Sequence, residues 1–178
     1  MPMPTSSELR DLQRPLKDRY REDPAAARIP ARAVARVSTD GISADVDGWA
    51  GTTTAGLHPA AGGDGSLACS ADLLLDAVAA CAGVTLRSVA IAMGVELRAA
   101  TVDVEGHWDA RGTLAVDRTV PVGLTDVTIT FRLDTDADQA TQDKLVQLAE
   151  RYCVVAQTLA SAPQLSVRRE ALVGTTEV

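Results

Sequence analysis

Two cysteines with distinctive neighbours are the residues of this chain best suited to chemistry. Cys81 lies in the strongly apolar segment Ala-Ala-Cys-Ala-Gly-Val-Thr-Leu. Cys153 follows 72 residues later, in Tyr-Cys-Val-Val-Ala-Gln-Thr-Leu at the end of an amphipathic stretch. A thiol inside a hydrophobic helix pair has two interpretations: an inert core residue, or a reaction centre that is shielded from water.

The number and setting of the cysteines favour free or redox-active thiols. The first residues contain no apolar run typical of a signal peptide, so we expect a cytoplasmic protein, in which structural disulfides are rare. A metal site is disfavoured because the chain has no Cys-x-x-Cys pattern, and His58 and His107 are isolated in the sequence. We therefore expect neither a metal nor a cofactor.

Charge and hydropathy exclude two further classes. The net charge of −7 disfavours nucleic acid, whose phosphates require clustered Lys and Arg. The longest apolar stretch, about 73–86, is shorter than the roughly 20 residues of a membrane span and contains Asp76. The sequence thus predicts no nucleic-acid partner and no membrane segment.

The first half of the chain predicts a helix, a hairpin and a long central helix. Residues 5–23 carry an apolar stripe with Pro15 as a kink or a break. Asp40-Gly41 separates two short β-compatible runs between 31 and 46, which indicates a hairpin. The glycine-rich residues 48–66 are typical of a flexible crossing segment. Ser70 is expected to cap a helix that ends near Met93, before Gly94.

The second half predicts a meander, a pair of helices and a last strand. Residues 95–108 suggest two strand pieces, Arg111-Gly112 a turn, and residues 127–133 alternate cleanly as a half-buried strand. A helix from about Asp138 ends near Cys153, another follows to Ser161, and Gln164–Arg169 reads as a final strand. Since strands and helices do not alternate regularly, the class is α+β. The central helix is apolar nearly all round, which predicts burial between two subunits.

Both cysteine motifs, in this order and around a β-meander, resemble the OsmC/Ohr family (osmotically inducible protein C and organic hydroperoxide resistance protein). The resemblance covers about 31–170, so residues 1–30 read as an N-terminal helical extension and 31–178 as an OsmC-like domain. It implies an OsmC-like fold with an N-terminal β-hairpin, a long buried central helix, a β-meander, a second helix pair and a final strand, in an intertwined homodimer.

The resemblance also implies an activity. Cys81 would be the peroxidatic thiol and Cys153 the resolving thiol of a thiol-dependent peroxidase, an enzyme that reduces organic hydroperoxides and is restored by a dithiol reductant, in oxidative stress defence. The alternative is a non-catalytic OsmC-like protein that binds a small apolar ligand at the dimer interface. Cys69, just before the central helix, is expected to be incidental.

Three departures from the family pattern bear on how Cys81 is activated. The position of the family's glutamate holds Ala71, that of its hairpin arginine holds Thr39, and the proline usual after the second cysteine is replaced by Val154. Burial raises a thiol pKa, so a substitute activator is required. The candidates are one carboxylate that could orient a cation, and four guanidinium groups: Asp72, Arg32, Arg36, Arg87 and Arg151.

Overall fold

The computed structural model describes residues 4–49 and 51–171. Within them, helices and strands follow in an α+β order, as the sequence predicts. The elements are α1 (Ser6–Glu22), β1 (Val34–Val37), β2 (Ser43–Gly48), β3 (Gly51–Gly56), β4 (Ala68–Cys69), α2 (Ser70–Met93), β5 (Ala99–His107), α3 (Ala110–Thr113), β6 (Asp126–Asp134), α4 (Gln139–Tyr152) and α5 (Val154–Ala160).

The N-terminal strands form a sheet of four strands in the order β1-β2-β3-β4. The hairpin predicted around Asp40-Gly41 is confirmed, with Val34 opposite Asp47 and Val37 opposite Ala44. The prediction of a flexible crossing segment over 48–66 was wrong in its first part. Residues 51–56 pair with β2 instead, because the threonines of this run suit a strand despite the flanking glycines. No residue of this sheet is buried within the chain.

The central helix α2 has the predicted extent. Gly94 ends it in the left-handed conformation with φ of 70°, which glycine adopts without steric cost. The predicted cap was wrong by one residue, since Cys69 occupies the N-cap without a side-chain bond and Ser70 is the first helical residue. One stripe of the helix is buried, and it consists of four residues at four-residue intervals: Val78, Ala82, Leu86 and Ala90.

A two-stranded antiparallel sheet covers part of that stripe. The strand predicted around 127–133 is confirmed as β6, and it pairs along its whole length with β5. The two strand pieces expected over 95–108 are one continuous strand, so this region is a hairpin and not a three-stranded meander. The turn expected at Arg111-Gly112 lies in the short helix α3. Leu86 and Ala90 form the core with Leu97, Leu145 and Ala149.

The second helix pair is confirmed, but the final strand is not. Asp138 caps α4 by accepting a hydrogen bond from the Thr141 N–H at 2.7 Å. Residues 162–171 contain no strand, and the apolar side chains of Leu165 and Val167 are exposed. An extended segment forms a strand only where a neighbouring strand offers hydrogen bonds, and none does so among the described residues of this chain.

The N-terminal helix α1 begins with a capping box between Thr5 and Glu8. It runs through Pro15 without being divided and contacts α2. Its Leu12 and Leu16 remain exposed. Among the described helices, α2 is the one long and apolar enough to meet the length and composition criterion for a membrane span, a criterion that core helices also meet.

Candidate active site

Cys81 lies on the border between the covered and the uncovered faces of α2. Val78, three residues before Cys81, is buried. Ala77, four residues before Cys81, and Val84, three residues after it, are exposed. Residues three and four apart in a helix are neighbours on its surface. The half-buried thiol of Cys81 is therefore held by the core on one side and reachable from the other.

Cys153 occupies the break between α4 and α5. Its backbone is extended, with φ of −74° and ψ of 104°, so that it ends one helix and precedes the next. Its N–H donates to the Glu150 carbonyl at 3.3 Å, and the Gln157 side chain donates to the same carbonyl at 3.1 Å. The side chain is 0% exposed. The break thus forms without the family's proline and points the second thiol into the protein.

The structure brings the two thiols together and makes their acidities unequal. Burial by itself raises the pKa of Cys81, but hydrogen bonding from the Val155 N–H, the Cys153 thiol, the Val154 N–H and the Thr85 hydroxyl lowers it below its ordinary value. A sulfur surrounded by donors is stabilised as the thiolate, which is the nucleophilic form.

The pKa of Cys153 moves in the opposite direction. Burial raises it, and the negative Cys81 beside it raises it further, which outweighs the N–H groups of Ala156 and Val155. Of the two thiols, Cys81 is therefore the one that ionises first, while Cys153 keeps its proton to higher pH. This order of acidities is the one required of an attacking and a resolving thiol.

The arginines considered as activators are engaged elsewhere. Arg36 is paired with Asp47 on the exposed face of the hairpin. Arg87 is half-buried and donates to the Leu97 carbonyl at 3.2 Å, on the side of α2 that faces β5. The guanidinium of Arg151 lies 5.7 Å from the centre of the Tyr152 ring. Within the described residues, none of these arginines is hydrogen-bonded to Cys81 or Cys153.

The remaining candidates are also separate from the thiols. Asp72 is exposed in the first turn of α2, nine residues and about 13 Å along the helix axis from Cys81. Arg32 is exposed ahead of β1. Cys69 is half-buried at the N-cap of α2, twelve residues before Cys81.

Sequence reasoning looked for a side-chain cation and missed the groups that surround Cys81. Thr85 could have been found, because it follows Cys81 by four residues and so shares its side of the helix. Val154 carried a second signal. A proline at that position has no N–H, so its replacement adds a donor next to the sulfur. Its significance depends on the approach of α5 to α2, which no local pattern shows.

Known proteins resemble this chain in family and in fold. A family model described as OsmC-like protein matches residues 63–168, more than half of the chain. No curated protein sequence matches. Among solved structures, the chain is similar to an OsmC like protein from Mycoplasma pneumoniae, with 16% identity, a TM-score of 0.63, and coverage of 75% of this chain and 89% of that chain.

Two further solved structures carry more specific names. One is an organic hydroperoxide resistance protein OsmC from Legionella pneumophila, with 17% identity, a TM-score of 0.58, and coverage of 75% of this chain and 93% of that chain. The other, from Elizabethkingia anophelis, is an organic hydroperoxide resistance protein with 14% identity, a TM-score of 0.60, and coverage of 76% and 92%. At these identities the likeness shows the fold alone. Together with the family model, it establishes that this chain belongs to the OsmC-like protein family.

Proposed function

We propose that this protein is a homodimeric thiol peroxidase that reduces organic hydroperoxides, with Cys81 as the peroxidatic and Cys153 as the resolving cysteine. The observation that carries the proposal is that the two thiols lie close enough to shift each other's pKa, with the pKa of Cys81 lowered and that of Cys153 raised. The names of two structural relatives, both organic hydroperoxide resistance proteins, support the same substrate class.

The reaction follows from the order of the acidities. The Cys81 thiolate attacks the terminal oxygen of the hydroperoxide, the O–O bond breaks, and the alkoxide leaves and takes up a proton as the alcohol. Cys81 is then a sulfenic acid. The Cys153 sulfur attacks it, a disulfide forms and water is released. A dithiol reductant exchanges with this disulfide and is itself oxidised, which restores both thiols.

The uncovered face of α2 supports the dimer. Ala77, Ala80 and Val84 are apolar and exposed on one side of the helix, and Val84 is 72% exposed. A second copy laid on this face would bury it and would close the open side of Cys81, which excludes water from the thiolate. Apolar walls of this kind favour alkyl hydroperoxides over hydrogen peroxide. Free thiols with these roles require a reducing compartment, the cytoplasm.

The test is peroxide consumption with cumene hydroperoxide and dithiothreitol. We expect the wild type and Cys69→Ser to turn over, because Cys69 lies outside the pair. Cys81→Ser should be inactive. Cys153→Ser should accumulate a Cys81 sulfenic acid that dimedone traps. Equal rates for Cys81→Ser and wild type would refute the catalytic role.

A second function, binding of an apolar ligand without turnover, is favoured by one observation. In the part of the chain that the structure describes, no arginine is hydrogen-bonded to Cys81, where it could assist peroxide cleavage. If purified, fully reduced protein binds cumyl alcohol yet consumes no hydroperoxide with any dithiol, the non-catalytic function replaces the proposed one.

A further inference from the structure

A cavity separate from the cysteine pair lies between α5, β6 and the first half of α2. Its volume is about 520 Å³, within the range of sites for small molecules. Leu74, Ile129 and Leu159 contribute to its apolar wall. Neither Cys81 nor Cys153 lines it, and Leu74 precedes Cys81 by seven residues, about 10 Å along the helix axis.

Two carboxylates, those of Asp126 and Glu150, line the cavity. Asp126 already has partners for both carboxylate oxygens: His107 Nδ1 at 2.7 Å from one, and the Thr125 hydroxyl, which donates to the other at 3.1 Å. Within the described part of the chain, the carboxylate of Glu150 has neither an ion pair nor a hydrogen bond.

This combination selects a ligand by charge. An apolar body can fill the space between Leu74, Ile129 and Leu159, while an ammonium group can pair with the free carboxylate of Glu150. A carboxylate at the same place would meet a like charge, and the net charge of −7 adds to that repulsion. We propose that the cavity is a binding site for an apolar amine, with Glu150 as its anchor.

The cavity wall is continuous with the segment that positions the thiols. Glu150 accepts the hydrogen bond of the Cys153 N–H through its carbonyl, and the Ala156 N–H acts on the Cys153 sulfur. Both residues line the cavity. An amine held here therefore contacts residues on both sides of the break between α4 and α5.

The experiment compares three ligands of equal length: octylamine, 1-octanol and octanoate. Binding is followed through the methyl NMR signals of Ile129 and Leu159 in the reduced, full-length protein, and it requires no peroxide, so its outcome is independent of the proposed peroxidase function. We expect octylamine to bind roughly two- to fivefold tighter than 1-octanol, the range of an exposed ion pair, and octanoate to bind most weakly.

Two charge variants test whether Glu150 causes the preference for the amine, and one steric variant tests whether the ligands bind in the cavity. Glu150→Gln should remove the preference for octylamine over 1-octanol, whereas Glu96→Gln, which changes the net charge equally at an exposed position outside the cavity, should retain it. Ala160→Phe, at the end of α5, should weaken all three ligands because the ring enters the cavity.

Several results would overturn the proposal. One is octanoate binding as tightly as octylamine. Another is a preference for the amine that survives Glu150→Gln. A third is the absence of any methyl response together with intersubunit contacts to Ile129 and Leu159 in a mixed-labelled dimer, which would mean that a second copy of the chain fills the cavity.

Discussion

Two apolar faces of helix α2 differ in what covers them. Val78, Ala82, Leu86 and Ala90 are buried against other elements of the same chain. Ala77, Ala80 and Val84 face outward with no cover within residues 4–49 and 51–171. Cys81 lies where the two faces meet. The chain itself therefore builds one half of the thiol's environment, and in the proposed dimer a second copy builds the other half.

The largest effect is expected on the covered face. Leu86→Ala removes a side chain that is 2% exposed, and the lost burial and the resulting cavity should lower the free energy of unfolding by about 2–5 kcal/mol. Denaturant unfolding measures this change, and it should be the same at all protein concentrations. Gln147→Ala, exposed on α4, should stay within about 0.5 kcal/mol. Equal losses in both variants would show that this face is not part of the core.

A change on the uncovered face should weaken the association of two copies of the chain. Val84→Glu places a carboxylate where a second copy would bury it without a partner, which should weaken the dimer by about 2 kcal/mol or more, roughly thirtyfold in the dissociation constant. Sedimentation equilibrium measures this change. Gln147→Glu adds the same charge to exposed α4 and should leave association unchanged. Unchanged association of Val84→Glu would place the dimer contact elsewhere.

The next effect concerns the donor at the border of the two faces. Val154→Pro removes one N–H beside Cys81 and should slow alkylation of this thiol at pH 7 by roughly fivefold, because the thiolate loses one of the several donors that lower the Cys81 pKa. Proline fits the first residue of a helix, and the extended backbone of Cys153 is compatible with it. Val154→Ala keeps the N–H and should alkylate as the wild type does. Equal rates in the two variants would remove Val154 from the activating groups.

The smallest effect is expected at Thr85. Thr85→Val keeps the shape of the side chain but removes the hydroxyl that acts on Cys81, and alkylation should slow by roughly two- to threefold. Thr85→Ser retains the donor and serves as the control. A slower rate in Thr85→Ser than in Thr85→Val would assign the effect to packing.

The elements that carry the site could be predicted from the sequence because their signals are local. The alternation over 127–133, the turn at Asp40-Gly41 and the stop at Gly94 each express a backbone preference of nearby residues. The final strand at Gln164–Arg169 could not be judged in this way. Its alternation is strand-like, yet a strand also needs a neighbour, and hydrogen-bonding partners are not encoded locally.

The same limit applies to the site. The pairing of Cys81 with Cys153 follows from family resemblance, and in the structure each thiol lies close enough to shift the pKa of the other. The activating groups were expected among arginines, because burial demands a compensating charge. The structure meets that demand with backbone N–H groups instead, and these are present at nearly every residue. Only the tertiary approach of α5 to Cys81 distinguishes the two N–H groups that act on the sulfur.

The most direct test is the pH dependence of alkylation at each cysteine, read by peptide mass spectrometry in the reduced protein. The ionised, reactive partner should be Cys81, with a midpoint below that of an ordinary thiol, whereas Cys153 should titrate above that of an ordinary thiol. A Cys81 that titrates at or above Cys153 would contradict the assignment of Cys81 as the attacking thiol.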